Sequence, residues 1–527
     1  MEKLSTLISN SEKAHYLSNK CYAYRLQKEL THIETLGQTD NILRAYYIKQ
    51  VIESFNVPFF IRGSAGGSLV LYILGFTTID PLEHGILFER FINEYREVLG
   101  DIDVDLPRTM RYQIMKKVFD KFKSVGVKIG RLCTRVFYRK NSALREIIRR
   151  HNLRVTIPRE IMNDNTNLQN LLAKYSIDYN EVLKEAEKLE GCLRYRSAHV
   201  GGLTVLKDDE DWLLPVNIKK TQDVPLVNLD RNDIDSQKRF KIDLLSNTGL
   251  DIIREVYPCS QLDEKTFPYK QEVFDMIGRG DVIGIVYGES PLVKNTFKIY
   301  HDKKGIKSVQ DIAKCISLIR PMARGNGKDS DLIFDDDWIV ELAKLLDISY
   351  AEADKQRKRL AKDDDKLLSK LKSIVSISRL KQLMQIKQYG FCKAHAMNYA
   401  QLIYCQAYAK FYKPAEFYCA VFNNMNGRIY KDWVYFFDAL KHNIKLFATR
   451  KNDKYVTKGN KIIPKNGIQI RFIPLTVHQE LREFGGITSL KDIEKLNGLV
   501  ACSRVWKDTE FRTCLRNGEM IDEVSVL

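Results

Sequence analysis

The run Gly100-Asp-Ile-Asp-Val-Asp-Leu106 has the residue types and spacing for phosphate chemistry. Acidic and apolar residues alternate without a break, which is the two-residue period of a β-strand. Asp101, Asp103 and Asp105 therefore share one face, and Ile102, Val104 and Leu106 share the other. Carboxylates crowded on one face repel each other. The apolar face predicts a strand inside a sheet, so the repulsion needs local compensation. In the plainer reading basic side chains supply it, along a solvated acidic face. In the other reading divalent cations supply it. Two ions about 3.5–4 Å apart, bridged by carboxylates, stabilise in-line attack on phosphorus. Mg2+ favours a few carboxylates completed by water and substrate phosphates.

A second run points to the same chemistry. Val57-Pro-Phe-Phe-Ile61 is a short β-type segment that ends in Arg62-Gly-Ser-Ala-Gly-Gly-Ser68, and an apolar helical stretch over residues 69–74 follows at once. In a strand, Gly/Ser turn and helix of that order, backbone N–H groups and a helix N-terminus face the turn and make an anion cradle. A triphosphate cradle upstream of an Asp-x-Asp strand is the arrangement of nucleotidyltransferases. The insert between Gly63-Ser64 and Asp101 is longer than in minimal transferases, which argues against a simple terminal transferase.

The remaining pattern must position these residues. Apolar spacing over residues 28–55 predicts helices around a break at Gly37. Residues 110–150 are basic and read as mostly helical, a solvated face in the ordinary case. Residues 160–190 read as small helices. Strand character returns at 201–206 and 240–245. The chain then reads as mainly helical to Asn424, and the last hundred residues mix β-type runs (461–464 and 467–472) with short helices.

Composition bounds the reading. The 527 residues carry a net charge of +17, with 44% hydrophobic and 10% aromatic content. This excludes a disordered or fibrous chain and leaves three or four domains' worth of sequence. No N-terminal apolar stretch approaches the roughly 20 residues of a membrane span, and Met-Glu-Lys-Leu-Ser does not open a signal peptide. Ten scattered cysteines form no CxxC pair, as expected of reduced thiols in a cytoplasmic protein. The positive charge favours an anionic partner, with nucleic acid leading. Lysine-rich codon usage is the alternative source of that charge.

The run from Arg62 to Leu106 resembles the palm of the bacterial C-family DNA polymerases, the DNA polymerase III alpha subunits. Ile-Arg-Gly-Ser-Ala-Gly-Gly-Ser-Leu-Val, Asp80-Pro-Leu, Leu87-Phe-Glu-Arg-Phe and Gly-Asp-Ile-Asp-Val-Asp-Leu match four family blocks in order. Leu189-Glu-Gly191 with Arg194, His199-Val-Gly-Gly202, Lys241-Ile-Asp243-Leu-Leu, residues 284–290, Leu318-Ile-Arg-Pro321 and Tyr389-Gly-Phe-Cys-Lys-Ala-His-Ala-Met-Asn-Tyr-Ala400 continue the resemblance, which runs on through Pro414-Ala-Glu-Phe417. Residues 485–492 resemble the end of the family's fingers region more weakly.

The resemblance implies an α+β fold: a polymerase-β-like palm on a mixed sheet, an inserted helical thumb and large helical fingers. The expected domains are palm over 1–132 and 189–248, thumb over 133–188, fingers over 249–430, and a C-terminal extension over 431–527. The expected activity is template-directed DNA synthesis from a primer, with primer-template DNA and dNTPs as substrates and a sliding clamp or other replication proteins as candidate partners. Asp101, Asp103 and Asp243 would be the catalytic carboxylates and hold two Mg2+ ions, with Mn2+ as substitute. The family does not usually use the position of Asp105 as a ligand. Arg62, Gly63 and Ser64 would receive the triphosphate, and Lys241 would neutralise phosphate charge. Arg90 and Arg320 are further phosphate candidates, and Lys393 and His395 could approach the incoming nucleotide. His199 and His395 read equally as packing histidines.

The text departs from the family pattern at Gly100 (Pro is usual), Ser246-Asn247 (Gly-Leu), Tyr287-Gly288, Met322 (Gly) and Cys392 (Asn). The family's N-terminal phosphoesterase-like domain and its C-terminal clamp-binding and OB regions are expected to be missing, and with them low processivity without a partner and a compact, phage-like version are expected. Two other readings stay open: a catalytically silent DNA-binding replication factor of the same fold, and a template-independent nucleotidyltransferase.

Overall fold

The computed structural model describes residues 3–95, 100–151, 153, 156–210, 224–325, 330–425, 427–430, 432–448, 454–464 and 470–471. The weak block at 485–492 and part of the β-type run at 467–472 lie outside the described residues. The chain divides into two compact units, one of residues 1–118 and 242–527 and one of residues 119–241.

The first unit is built on β1 (Phe60–Arg62) and β2 (Ile102–Pro107), and its third strand, β5 (Ile242–Asn247), comes after the strands β3 (Ile129–Phe137) and β4 (Leu193–Val205) of the second unit. β1 pairs antiparallel with β2, and β2 pairs parallel with β5, so the sheet is mixed. The alternation in β2 does its expected work: Ile102, Val104 and Leu106 are buried. A parallel pair needs a long crossover, and here the crossover passes through the whole second unit.

Helices α1 (Lys20–Thr35), α2 (Leu69–Ile73), α3 (Thr248–Val256) and α5 (Lys393–Tyr412) frame this sheet or extend its core, and α4 (Asp335–Leu346) packs in a separate apolar cluster around Trp338. The expected break at Gly37 falls between α1 and the helix Thr39–Glu53, with Gly37 at φ +62. α5 is buried nearly all round, as expected of a central core helix. Its polar residues are partnered. Buried Lys410, for example, pairs with Asp281 at 2.6 Å and Asp438 at 2.7 Å. A second sheet has the order β7-β8-β6-β9, with β6 Lys445–Ala448, β7 Tyr455–Lys458, β8 Lys461–Pro464 and β9 Ile470–Arg471. β8 is the expected run at 461–464.

In the second unit β3 and β4 form an antiparallel ribbon. The helices Lys140–Arg150, Arg159–Asn163, Asn165–Ala173 and Tyr179–Leu189 close over their own core of Leu144, Ile147, Ile148, Leu168, Leu172 and Val182. The last three are the small helices expected over 160–190. The mostly helical reading of 110–150 holds for the helices Arg111–Ser124 and Lys140–Arg150, but it misses β3 between them. The β3 arginines read as part of a helix face but find tertiary partners. Arg131 donates to the His199 carbonyl at 2.8 Å, and Arg135 pairs with Asp233 at 2.9 Å. β4 also begins earlier than the strand read at 201–206. Its first half is exposed, Leu193 and Tyr195 included, so no buried apolar face marks it.

Candidate active site

The register of the first unit's sheet brings the chemistry-bearing residues together. Asp103 lies opposite Asp243 on β5 and opposite Arg62 on β1. Directly opposed residues on neighbouring strands project to the same face, so Arg62, Asp103 and Asp243 form one row across three strands. The next row on that face is Phe60, Asp105 and Leu245, and it is buried. Exposure therefore falls along the acidic face. Asp101 is exposed just ahead of β2, the Asp103 side chain keeps 24% of its surface, and Asp105 keeps 1%.

Arg62 Nε sits 3.8 Å from Asp103 Oδ2 and 3.6 Å from Asp105 Oδ1. Asp105 Oδ2 accepts from Asn247 Nδ2 at 2.8 Å. Burial pushes the Asp105 carboxyl up to about 6, against the opposing pull of Arg62 and the Asn247 bond. Asn247 is one of the departures from the family text, and its carbonyl oxygen also caps α3 by accepting from Gly249 N–H at 2.9 Å.

Hard carboxylate oxygens on adjacent strands, one of them reachable from solvent, suit Mg2+ or Mn2+. Among the described residues, three ligand atoms within 4.8 Å of one another occur at Asp281, Asp438 and His442, where the buried Lys410 ammonium already serves both carboxylates. The oxygens of Asp101, Asp103 and Asp243 are not gathered that tightly.

The Gly/Ser turn is a 3-10 segment, Gly63–Gly67, entered through Gly63 at φ +77, a conformation that favours glycine. The expected anion cradle is corrected here at its helix end. The N–H groups that open α2 are taken by the chain itself: buried Glu29 on α1 accepts from Leu69 N–H (3.0 Å), Val70 N–H (3.1 Å) and Ser68 Oγ (2.8 Å), and Ser68 Oγ accepts from Leu71 N–H. A carboxylate at a helix N-terminus is favourable, and it leaves no room there for a phosphate. Nothing in the sequence marks Glu29 beyond its place on an amphipathic helix. Gly100 also gains a reason. A Cβ there would stand 3.0 Å from Ser64 Oγ and from Phe91, and a proline would also lose the Gly100 N–H bond to the Phe91 carbonyl at 3.3 Å.

α5 closes on the turn from the other side. A Cβ on Gly66 would stand 2.9 Å from Asn398 Nδ2. Gly63 N–H donates to His395 Nδ1 at 3.1 Å, which leaves the ring proton on Nε2. Burial, with Arg62 and Arg320 nearby, holds His395 down to about 3, so it is neutral. The Arg320 guanidinium lies 3.8 Å over the Phe391 ring. Its Nε has no hydrogen-bond partner among the described residues, and burial lowers its pKa.

Other sequence-predicted residues are occupied elsewhere. Arg90 pairs with Asp335 at 2.9 Å. Lys393 donates its backbone N–H to Asp336 at 2.7 Å, and its Nζ lies 3.4 Å from the Gly85 carbonyl. Lys241 immediately precedes β5. In the second unit, His199 Nδ1 accepts from Gly202 N–H at 2.8 Å within β4, where the register with β3 shifts.

Residues 2–246 match the family model described as Bacterial DNA polymerase III alpha NTPase domain. The matched region, just under half of the chain, is similar to that family. It is 26% identical over 486 residues to an error-prone DNA polymerase of Vibrio campbellii, covering 80% of this chain and 47% of that one. It is 26% identical over 485 residues to the DNA polymerase III subunit alpha of Staphylococcus epidermidis, covering 80% and 45%. An error-prone DNA polymerase of Anaeromyxobacter dehalogenans is 25% identical over 495 residues, covering 80% and 43%. The chain thus spans less than half the length of these curated relatives. No helix among the described residues is long and apolar enough to cross a membrane.

Proposed function

We propose that this chain is a template-directed DNA polymerase core. The primer 3′-oxygen attacks the α-phosphorus of a dNTP, one phosphodiester bond forms, and pyrophosphate leaves. The observation that carries this reading is the row Arg62–Asp103–Asp243 across three paired strands, with a Gly/Ser turn directly after Arg62. Asp101, Asp103 and Asp243 would hold two divalent ions, Mg2+ or its substitute Mn2+. Ions bound there supply activation of the primer hydroxyl and neutralisation of phosphate charge.

The protein's own groups orient the substrate. Arg62, Gly63, Ser64 and Lys241 receive the triphosphate. Arg320, a half-buried guanidinium without an acidic partner among the described residues, adds a phosphate contact. His395, neutral and with its Nε2 proton available, fixes the turn through Gly63 while facing the same region. Primer-template DNA is the macromolecular substrate, held through exposed basic side chains, and a clamp is the expected processivity partner.

Primer extension with dNTPs and Mg2+ tests the reading. Wild type should extend a primer according to template, and Asp103→Asn should lose at least about 100-fold in rate while binding the duplex as before. Tight binding without extension under Mg2+ or Mn2+ identifies a silent DNA-binding factor. Extension that ignores the template identifies a template-independent transferase.

A further inference from the structure

Tyr287 stands in the left-handed region, at φ +69. A residue with a Cβ is strained there and stays only where its surroundings over-determine it. The surroundings do so here. Gly284, itself at φ +85, donates its N–H to Glu289 Oε2 at 2.9 Å. Buried Glu289 is held in turn by Arg428 at 3.0 Å and by the Tyr435 hydroxyl at 3.1 Å. Gln406 on α5 grips the loop from the other side, accepting from Val286 N–H at 2.9 Å and donating to the Val286 carbonyl at 3.3 Å. A buried polar network bonded at so many points fixes the loop's path.

The outcome of that path is a stacked pair. The Tyr287 ring lies on Tyr399 of α5 with centroids 4.3 Å apart and planes within 10°. The Tyr399 hydroxyl accepts from Arg62 Nη1 at 3.0 Å. Arg62 Nε faces Asp103 at 3.8 Å and Asp105 at 3.6 Å, near enough to pair but beyond direct hydrogen bonding. A guanidinium has five donors in a fixed plane, and one donor tied to Tyr399 sets that plane. Without the tie, Arg62 would be free to swing onto Asp103 and form the bidentate pair that arginine and carboxylate prefer.

We infer that Tyr287 and Tyr399 are positioning residues for the polymerase reaction: the strained loop seats Tyr287 on Tyr399, and Tyr399 holds the Arg62 guanidinium beside the carboxylate row without letting it collapse onto Asp103. This rests on the polymerase reading, which is what gives Arg62 a substrate to meet.

A double-mutant cycle tests it. Tyr399→Phe keeps the ring and removes the tie, and Tyr287→Ala removes the seat. Each should lower kcat/KM for the incoming nucleotide about tenfold, the scale of one hydrogen bond to a charged group. Tyr287→Phe, which preserves the stack and removes only the Tyr287 hydroxyl beside Tyr399, should lose less than Tyr287→Ala. In an Arg62→Lys background, where the fork is gone, neither change should cost more. A full tenfold loss in both backgrounds overturns the relay, as does a wild-type value for Tyr399→Phe. If Tyr287→Ala does not fold, the Tyr399→Phe cycle alone decides for or against the relay by the same criteria. Urea unfolding of the same Tyr399 and Arg62 variants measures their coupling without any nucleotide. A wild type that extends no primer therefore removes the polymerase reading, while the unfolding cycle still decides the relay: non-additive losses support it, and additive ones overturn it.

Discussion

Asn247 shows how one side chain can serve a sheet and a helix together. Its amide nitrogen serves the buried Asp105 carboxylate at 2.8 Å, and its carbonyl oxygen caps α3. A buried carboxylate oxygen left without a donor costs about 1–3 kcal/mol, and a lost cap costs about 1 kcal/mol more. Asn247→Leu, the residue usual in the family, should therefore destabilise this chain by about 2–4 kcal/mol, read as a lower urea midpoint. The same substitution restores the text of the family and still harms this protein, because Asp105 here has come to depend on the amide. An unchanged midpoint would mean that Asp105 finds another donor.

At the scale of elements, the joint between α1 and α2 matters most. α2 is only a turn and a half long, yet it begins directly behind the Gly/Ser turn and sets where that turn sits. Glu29 holds it by accepting from two backbone N–H groups and the Ser68 hydroxyl while paired with Arg25 at 2.7 Å. Glu29→Ala should cost about 3 kcal/mol or more, since it orphans several buried donors at once. Glu29→Gln keeps acceptor capacity and should cost less. Urea unfolding of the two variants gives the order, and an equal loss for both would assign the effect to the charge rather than to the bonds.

Over the whole molecule, the charge of +17 is the dominant field. In the second unit, Arg139, Lys140, Arg145, Arg149 and Arg150 are exposed around one helix, over a core that packs without them. Side chains so placed reach a phosphate backbone at little cost to the fold. Binding to duplex DNA should weaken linearly in log[salt], with a slope of about 0.9 for each phosphate neutralised. Arg145→Glu with Arg149→Glu should lower both affinity and slope while leaving the unfolding midpoint in place, which binding isotherms at several salt concentrations would measure. A slope unchanged by the double variant would place the duplex on another surface.

Local patterns account for much of what is seen. The alternation over 100–106 is enough for β2 and its buried apolar edge, because a strand's two faces are written residue by residue. The helix pair around Gly37, the small helices of the second unit and the long helical region after residue 250 are legible for the same reason. β3 is not, because its arginines find partners far away in the chain, and a one-dimensional pattern cannot distinguish a solvated arginine from a paired one. Nor could any local pattern place Glu29 across the start of α2, Asn247 on Asp105 or Tyr287 on Tyr399. Above all, the pairing of Asp103 with Asp243 depends on strand register across more than a hundred intervening residues. Residue types and local periodicity decided which groups this chain has and which way each strand face points. Long-range pairing and burial decided which of those groups meet and what charge they carry, because both depend on neighbours that sequence distance does not encode.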